Sequence, residues 1–321
     1  MSYSRYYRYK LLTAQKKLYD ELLKGIQNES TEIVIPGDWS EEDIQKVVFA
    51  VDYDNPELYY ADLTDVRILK SKISAAFQMR YYCKAAERKK YDRMLQKAAV
   101  EILVPLLDQE KEDICLKIHD WLVFNCTYGD CDRFANASYS IIGVLLYHTA
   151  VCEGIAKTYK YLADLMRLRC IVAVGNAIGP NGTEEGHAWN IIRINNRCYH
   201  LDATLEQCID DRYCSKAYYL LSTKEILRDH KFHPFFVLPY CDQTKNRLET
   251  VHSPSELLAF FISESKCYHS YSEVRVSREL TREKLMHVID YEIPELDIAA
   301  YCNLKEYWFA ESSRVLYLHW R

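Results

Sequence analysis

Apolar residues recur at helical spacing through the first half of the chain and alternate with polar ones after Val172, with breaks at Gly, Pro and Asn. Leu18, Leu22 and Ile26 stand one turn apart and predict a surface helix over 13–26, with Gly25 near its end. Ser40, with Asp43 three positions on, caps a second helix from Glu41 to about Val51, which stops before Asp54-Asn55-Pro56. The β-branched and aromatic residues of "DVRILKSKISAAFQMRYY" predict two strands around Lys70 to Lys72, followed by a helix from Ala85 to about Leu107. In "DQEKEDICLKIHDWLVFNCTYGD" the stripe Ile114, Ile118, Trp121 and Leu122, with acids in the first turn, predicts another helix, and Ile141 to Leu146 a short apolar one.

Ile155, Tyr159, Leu162 and Met166 mark one face of a further helix that Ala156 and Ala163 keep small, so a buried helix starts just after Val151. The period then changes to two through "CIVAVGNAI", "HAWNIIRI" and "RCYHLDAT", with turns at Gly179-Pro180-Asn181-Gly182 and Asn195-Asn196. This predicts a small antiparallel sheet behind a central helix. After Pro239, "CDQTKNRLETVHSPSE" reads as a linker. A helix beginning at Ser255, the strand "YSEVRVS", a helix from Thr281 and the strand "RVLYLHW" then form a small α/β module. The expected units are an N-terminal helical and β-hairpin region over 1–109, a core over 110–238 and the C-terminal module over 239–321.

With 321 residues, 49% hydrophobic and 27% charged, the chain can build a large core and more than one folding unit. A formal net charge of -5 gives no reason to expect a nucleic acid or an acidic membrane as partner. The tyrosine-rich start lacks the apolar stretch of a signal peptide or membrane span, and no such stretch follows, which predicts a cytoplasmic protein. Its twelve cysteines then read as mostly free thiols.

One of them stands apart. Cys152 falls at the first position of the buried helix, where unpaired N–H groups and the helix dipole favour a thiolate, and Gly154 would let a substrate backbone approach the sulfur. Buried cysteines are common as small apolar fillers, so position alone does not make a nucleophile. A thiol also needs a base. If Asn195-Asn196 is a two-residue turn, Ile194 pairs with Arg197, Trp189 faces Asp202 and His187 faces Thr204. His187 and Asp202 then share one face as diagonal neighbours, roughly 7–8 Å apart by backbone. His200 lies on that face too, opposite Ile191, but lacks a carboxylate two residues away on the partner strand. His119, His148 and His230 read as solvated or structural. Cys126, Cys131, Cys198 and His200 offer a metal-site alternative without the close C-x₂-C spacing of common zinc sites, so neither a metal nor another cofactor is expected.

"AVCEGIAKTYKYLADLMRLRCIVAVG" followed by "GHAWNIIRINNRCYHLDAT" resembles the core of the transglutaminase-like superfamily, bacterial type. The upstream "YDNPELYY" and "LKIHDWLVFNCTY", and the later "YYLLSTKEILRDH", are similar to segments of the same group, and the likeness of the core spans Glu110 to His233. It implies an α+β fold with a papain/transglutaminase-like core, in which a central helix carries the nucleophile and packs on an antiparallel sheet. It also implies a triad of Cys152, His187 and Asp202, with a thioester formed on Cys152 from a protein or peptide amide, then acyl transfer or hydrolysis. Tyr139, Gly154 and Trp189 are the positions expected at the oxyanion hole or site rim. Leu205 stands where an aromatic usually follows the threonine. A non-catalytic scaffold or protein-binding module of the same fold is the alternative.

Overall fold

The computed structural model describes residues 5–179, 182–207, 213–246, 248–267, 270–295, 304–311 and 313–320. In chain order, α1 (Tyr6–Lys10), α2 (Thr13–Gln27), β1 (Glu32–Pro36), α3 (Glu41–Asp54), β2 (Arg67–Lys70), β3 (Ser74–Gln78) and α4 (Ala85–Leu103) lead to α5 (Lys111–Asn125). The short strands β4 (Thr127–Tyr128) and β5 (Thr149–Ala150) flank a tight helical turn over 143–147 and precede the central helix α6 (Cys152–Leu165). Then come β6 (Arg169–Ile178), β7 (Glu184–Ile194), β8 (Arg197–Leu201), α7 (Ala203–Gln207), α8 (Thr223–Ile226) and β9 (His230–Phe232). The last elements are β10 (Thr250–Val251), α9 (Pro254–Glu264), β11 (Tyr271–Val276), α10 (Arg282–His287), β12 (Leu304–Ala310) and β13 (Val315–Trp320).

Local chemistry explains several boundaries. The Ser40 hydroxyl accepts from Asp43 N at 3.0 Å while the Asp43 carboxylate reaches back to Ser40 N at 3.1 Å, a reciprocal cap that starts α3. Asn195 and Asn196 both take positive φ, 48° and 67°, so β7 and β8 close through a two-residue turn. The register follows, with Ile194 opposite Arg197 and Ile191 opposite His200. The turn expected at Gly179–Gly182 includes Pro180 and Asn181, which lie outside the described residues.

The central sheet is antiparallel in the order β8-β7-β6-β9, and α6 packs on it, so the architecture is mixed helix and sheet of the α+β kind. Asn190 of β7 fastens the two layers, its Nδ2 donating 2.9 Å to Ala156 O in α6. One hydrophobic core runs from Tyr7 through Leu122 to Leu220 without a break near residue 109, and Tyr7 Oη donates to Val172 O of β6 at 2.5 Å. A second core lies inside the sheet β10-β11-β13-β12 and its helices. The expected linker is tied down rather than loose: Thr223 N donates to Cys241 O, Ser222 N to Thr244 Oγ1 and Lys245 N to Leu220 O. Strands β1 and β12 carry no counterpart in the sequence reading. No helix among the described residues is long and apolar enough to cross a membrane.

The strand expected through "RCYHLDAT" stops early. β8 ends at Leu201, and Ala203 onward coils into α7, so neither Asp202 nor Thr204 pairs with β7. The Asp202 carboxylate captures Thr204 N and Leu205 N, which bends the chain into a helix where the apolar alternation would have continued the strand.

Gly175 lets β9 join the sheet: a Cβ there would stand 1.7 Å from Lys231 O. A Gly175→Ala protein therefore loses about 1–3 kcal/mol of stability in denaturant unfolding, whereas Gly186→Ala, whose Cβ meets nothing within 4 Å, stays within about 0.5 kcal/mol of the parent.

Candidate active site

Cys152 opens α6 and is half-buried. Val151, extended at φ -93° and ψ 178°, precedes it as N-cap and supplies no side-chain acceptor, so the first-turn N–H groups are not capped from within. The helix start is pinned from two sides. Val151 N donates 2.9 Å to Ser138 O, and one turn on, Lys157 Nζ is held by Asp52 Oδ1 and Glu153 Oε1, both at 2.7 Å.

His187 sits near the start of β7 opposite Gly175. Its Nε2 lies 2.6 Å from Asp202 Oδ2, and Cys152 is near enough to the same ring to favour its cation. With Nε2 committed to Asp202, Nδ1 is the nitrogen left for sulfur. Burial by itself disfavours the imidazolium, but the Asp202 carboxylate and Cys152 outweigh it and push the His187 pKa up to about 10. Trp189 backs the ring, its indole stacked on the imidazole with centroids 6.2 Å apart and planes 15° from parallel.

Asp202 is buried, and all its acceptor positions are in use. Oδ1 takes Thr204 N at 2.9 Å and Leu205 N at 3.1 Å; Oδ2 takes His187 and, at 3.0 Å, His230 Nε2. Burial would raise its pKa, and the two imidazoles reverse that and hold it well below the usual carboxylate range.

His230 corrects the sequence reading by its place rather than by its burial. It is not solvated: its Nδ1 meets Asp229 Oδ1 at 2.7 Å, whose other oxygen accepts from Tyr218 Oη at 2.7 Å. The hydrogen-bonded chain Asp229–His230–Asp202–His187 is continuous, and Cys152 lies beside its last ring. Despite burial, its two carboxylate neighbours raise the His230 pKa. His200, the other histidine on the His187 face, is a packing group: Trp189 Nε1 donates to its Nδ1 at 3.1 Å, Thr223 Oγ1 lies 3.1 Å from its Nε2, and burial lowers its pKa to about 3.

The remaining expected positions are placed as follows. Gly154 leaves no room for a substrate: a Cβ there would stand 2.5 Å from Ser138 O, so the glycine admits the chain's own segment against the helix start. That segment ends in Tyr139, which is exposed beside it. Trp189 is buried behind the imidazole rather than set at a rim. Tyr53 of α3, unmarked in the sequence reading, packs on Ala156 and lies close enough for Cys152 to raise its pKa, after burial and the neighbouring Glu153, Asp52 and Tyr7. Its only sequence signal is that it begins "YDNPELYY".

Among the described residues, two groups bring three potential metal ligands within 4.8 Å of one another, His187–Asp202–His230 and His119–Asp120–Cys214. In the first, both imidazoles already bind the same carboxylate oxygen. In the second, the Lys216 ammonium sits 2.8 Å from Cys214 Sγ and 2.9 Å from Asp120 Oδ1, where it supplies the positive charge itself. Cys126, Cys131, Cys198 and His200 form no such group; Cys198 instead pairs with Cys241, whose hydrogen bond lowers its pKa to about 7.

No protein-family model and no curated protein matches the chain. Among solved structures it is similar to one described as a TGase, 11% identical with a TM-score of 0.31 over 54% of this chain and 50% of that one. It is also similar to a protein of Cytophaga hutchinsonii proposed to be a cysteine protease, 14% identical with a TM-score of 0.30 over 44% of this chain and 61% of that one. The chain thus spans half of the first and about three fifths of the second.

NMR titration of the His187 imidazole is expected to give a midpoint near pH 10 that falls in Cys152→Ala and falls again in Asp202→Asn, since both partners favour its cation. Stability carries the same sign: the share due to His187 is full below about pH 6.5 and fades as pH rises toward its folded pKa of about 10. A midpoint near 6.5 in the parent contradicts the pairing.

Proposed function

We propose that the chain is a transglutaminase-like cysteine enzyme acting on an amide of a protein or peptide. The observation that carries this reading is His187, largely buried and bonded through Nε2 to Asp202 at 2.6 Å, with Cys152 at a helix start near enough to raise its pKa. A nucleophile, a base and a group that orients the base are thereby assembled from three separate elements.

In this mechanism the Cys152 sulfur attacks the amide carbonyl carbon, the C–N bond breaks, and the amine leaves with the proton held at His187 Nδ1. The products of this half are a thioester on Cys152 and ammonia or an amine. Water or a second amine then attacks the thioester, giving its proton to the same nitrogen, and the sulfur is released. Asp202 fixes the imidazole tautomer and stays ionised throughout. The oxyanion is placed against the uncapped N–H groups at the start of α6, the Cys152 N–H first among them, with Tyr139 beside it. Water as the acceptor gives hydrolysis and an amine gives acyl transfer, both by the same first half.

Ammonia release and fluorescent-amine incorporation on a glutamine-rich protein, together with peptide cleavage, test the reading. Cys152→Ala and His187→Ala lower whichever activity is found by about 10⁴–10⁶, and Asp202→Asn by about 10⁴. Full activity in Cys152→Ala contradicts it, and no activity toward any amide in the parent favours the scaffold.

A further inference from the structure

Away from the Cys152 sulfur, between the β6–β7 hairpin and the β12–β13 ribbon, lies a cleft of about 560 Å³. That volume is in the range of small-ligand pockets. Leu205, Trp308 and Phe309 give it apolar surface, and Arg228, Arg278 and Arg314 converge on it. Two carboxylates also line it, and both are engaged elsewhere: Asp229 with His230 and Tyr218, Glu311 with Arg282 at 2.6 Å.

Among the described residues no acid forms an ion pair with any of the three arginines. Arg314 is locked, its Nε donating to Val276 O and its Nη2 to Ser277 O and Leu280 O, all within 2.9 Å. Arg228 uses Nε on Glu225 O at 2.9 Å and keeps its other nitrogens. Burial holds the Arg314 pKa below the usual guanidinium value; Glu311 opposes it, and the charges of Arg278 and Arg228 each add a smaller lowering. The three guanidinium groups outnumber the two carboxylates of the lining, so the cleft carries a net positive charge that favours an anion.

We propose that this cleft binds a small organic polyphosphate, its phosphates held by Arg228 and Arg278 beside the fixed charge of Arg314 and its body resting on Trp308, Phe309 and Leu205. Guanidinium groups match phosphate oxygens two at a time, and three of them suit a group bearing more than the single charge of a carboxylate. The apolar wall and the volume exceed what a bare phosphate fills.

The full chain titrated calorimetrically with ADP and with adenosine tests this without reference to catalysis. ADP binds saturably, one per chain, adenosine more weakly. The Arg228→Gln/Arg278→Gln variant, which spares the anchored Arg314, weakens ADP by about tenfold or more. Arg193→Gln, in a separate basic cleft with Arg169 and Lys10, leaves it unchanged. Absence of saturable ADP binding, adenosine binding as tightly as ADP, an unchanged affinity in the double variant, or a loss in Arg193→Gln overturns the proposal.

Discussion

The Asp202 carboxylate is the group on which the site depends. A buried carboxylate is costly unless its lone pairs are all met, and Asp202 meets them with two backbone N–H groups and two imidazoles. Each bond also fixes an element. The N–H bonds end β8 and start α7; His187 brings in β7; His230 brings in β9, which reaches β6 only because Gly175 has no side chain. The charge that orients His187 therefore also sets the geometry of the strands around it.

The nucleophile is held to the same standard by other means. The first turn of α6 is pressed against Ser138 through Gly154, tied to β7 by Asn190 and anchored to α3 by Lys157 and Asp52. The anchor on α3 shows why the N-terminal region shares one core with the sheet: Tyr53 and Asp52 come from it, and without it the sulfur would lose one wall and the helix one ion pair. Lys157 is buried and shared between Asp52 and Glu153, so removing it would leave both carboxylates without their cation.

Much of this was legible where local chemistry decides. The Ser40–Asp43 cap, the Asn-Asn turn with its register and the buried helix after Val151 are short-range signals, and they placed Cys152, His187 and the hairpin correctly. The parity of the hairpin also predicted that His187 and Asp202 share one face as diagonal neighbours. What it could not show was that β8 stops at Leu201, because α7 is only five residues long and exists through the bonds made by Asp202. His230 was hidden for a similar reason: it lies 28 residues from Asp202 and arrives on a three-residue strand with no periodicity to read. Gly154 was read for the space it leaves, and that space is filled by the chain itself, a long-range fact no local pattern encodes.

Alkylation of the full set of thiols by iodoacetamide across pH 5 to 9, followed cysteine by cysteine by mass spectrometry, tests the central claim most directly. Cys152 is expected to react faster than Cys115 and Cys170, whose pKa values burial raises, and to slow in His187→Ala. Slow alkylation of Cys152 at the rate of an ordinary thiol, unchanged in His187→Ala, would contradict it.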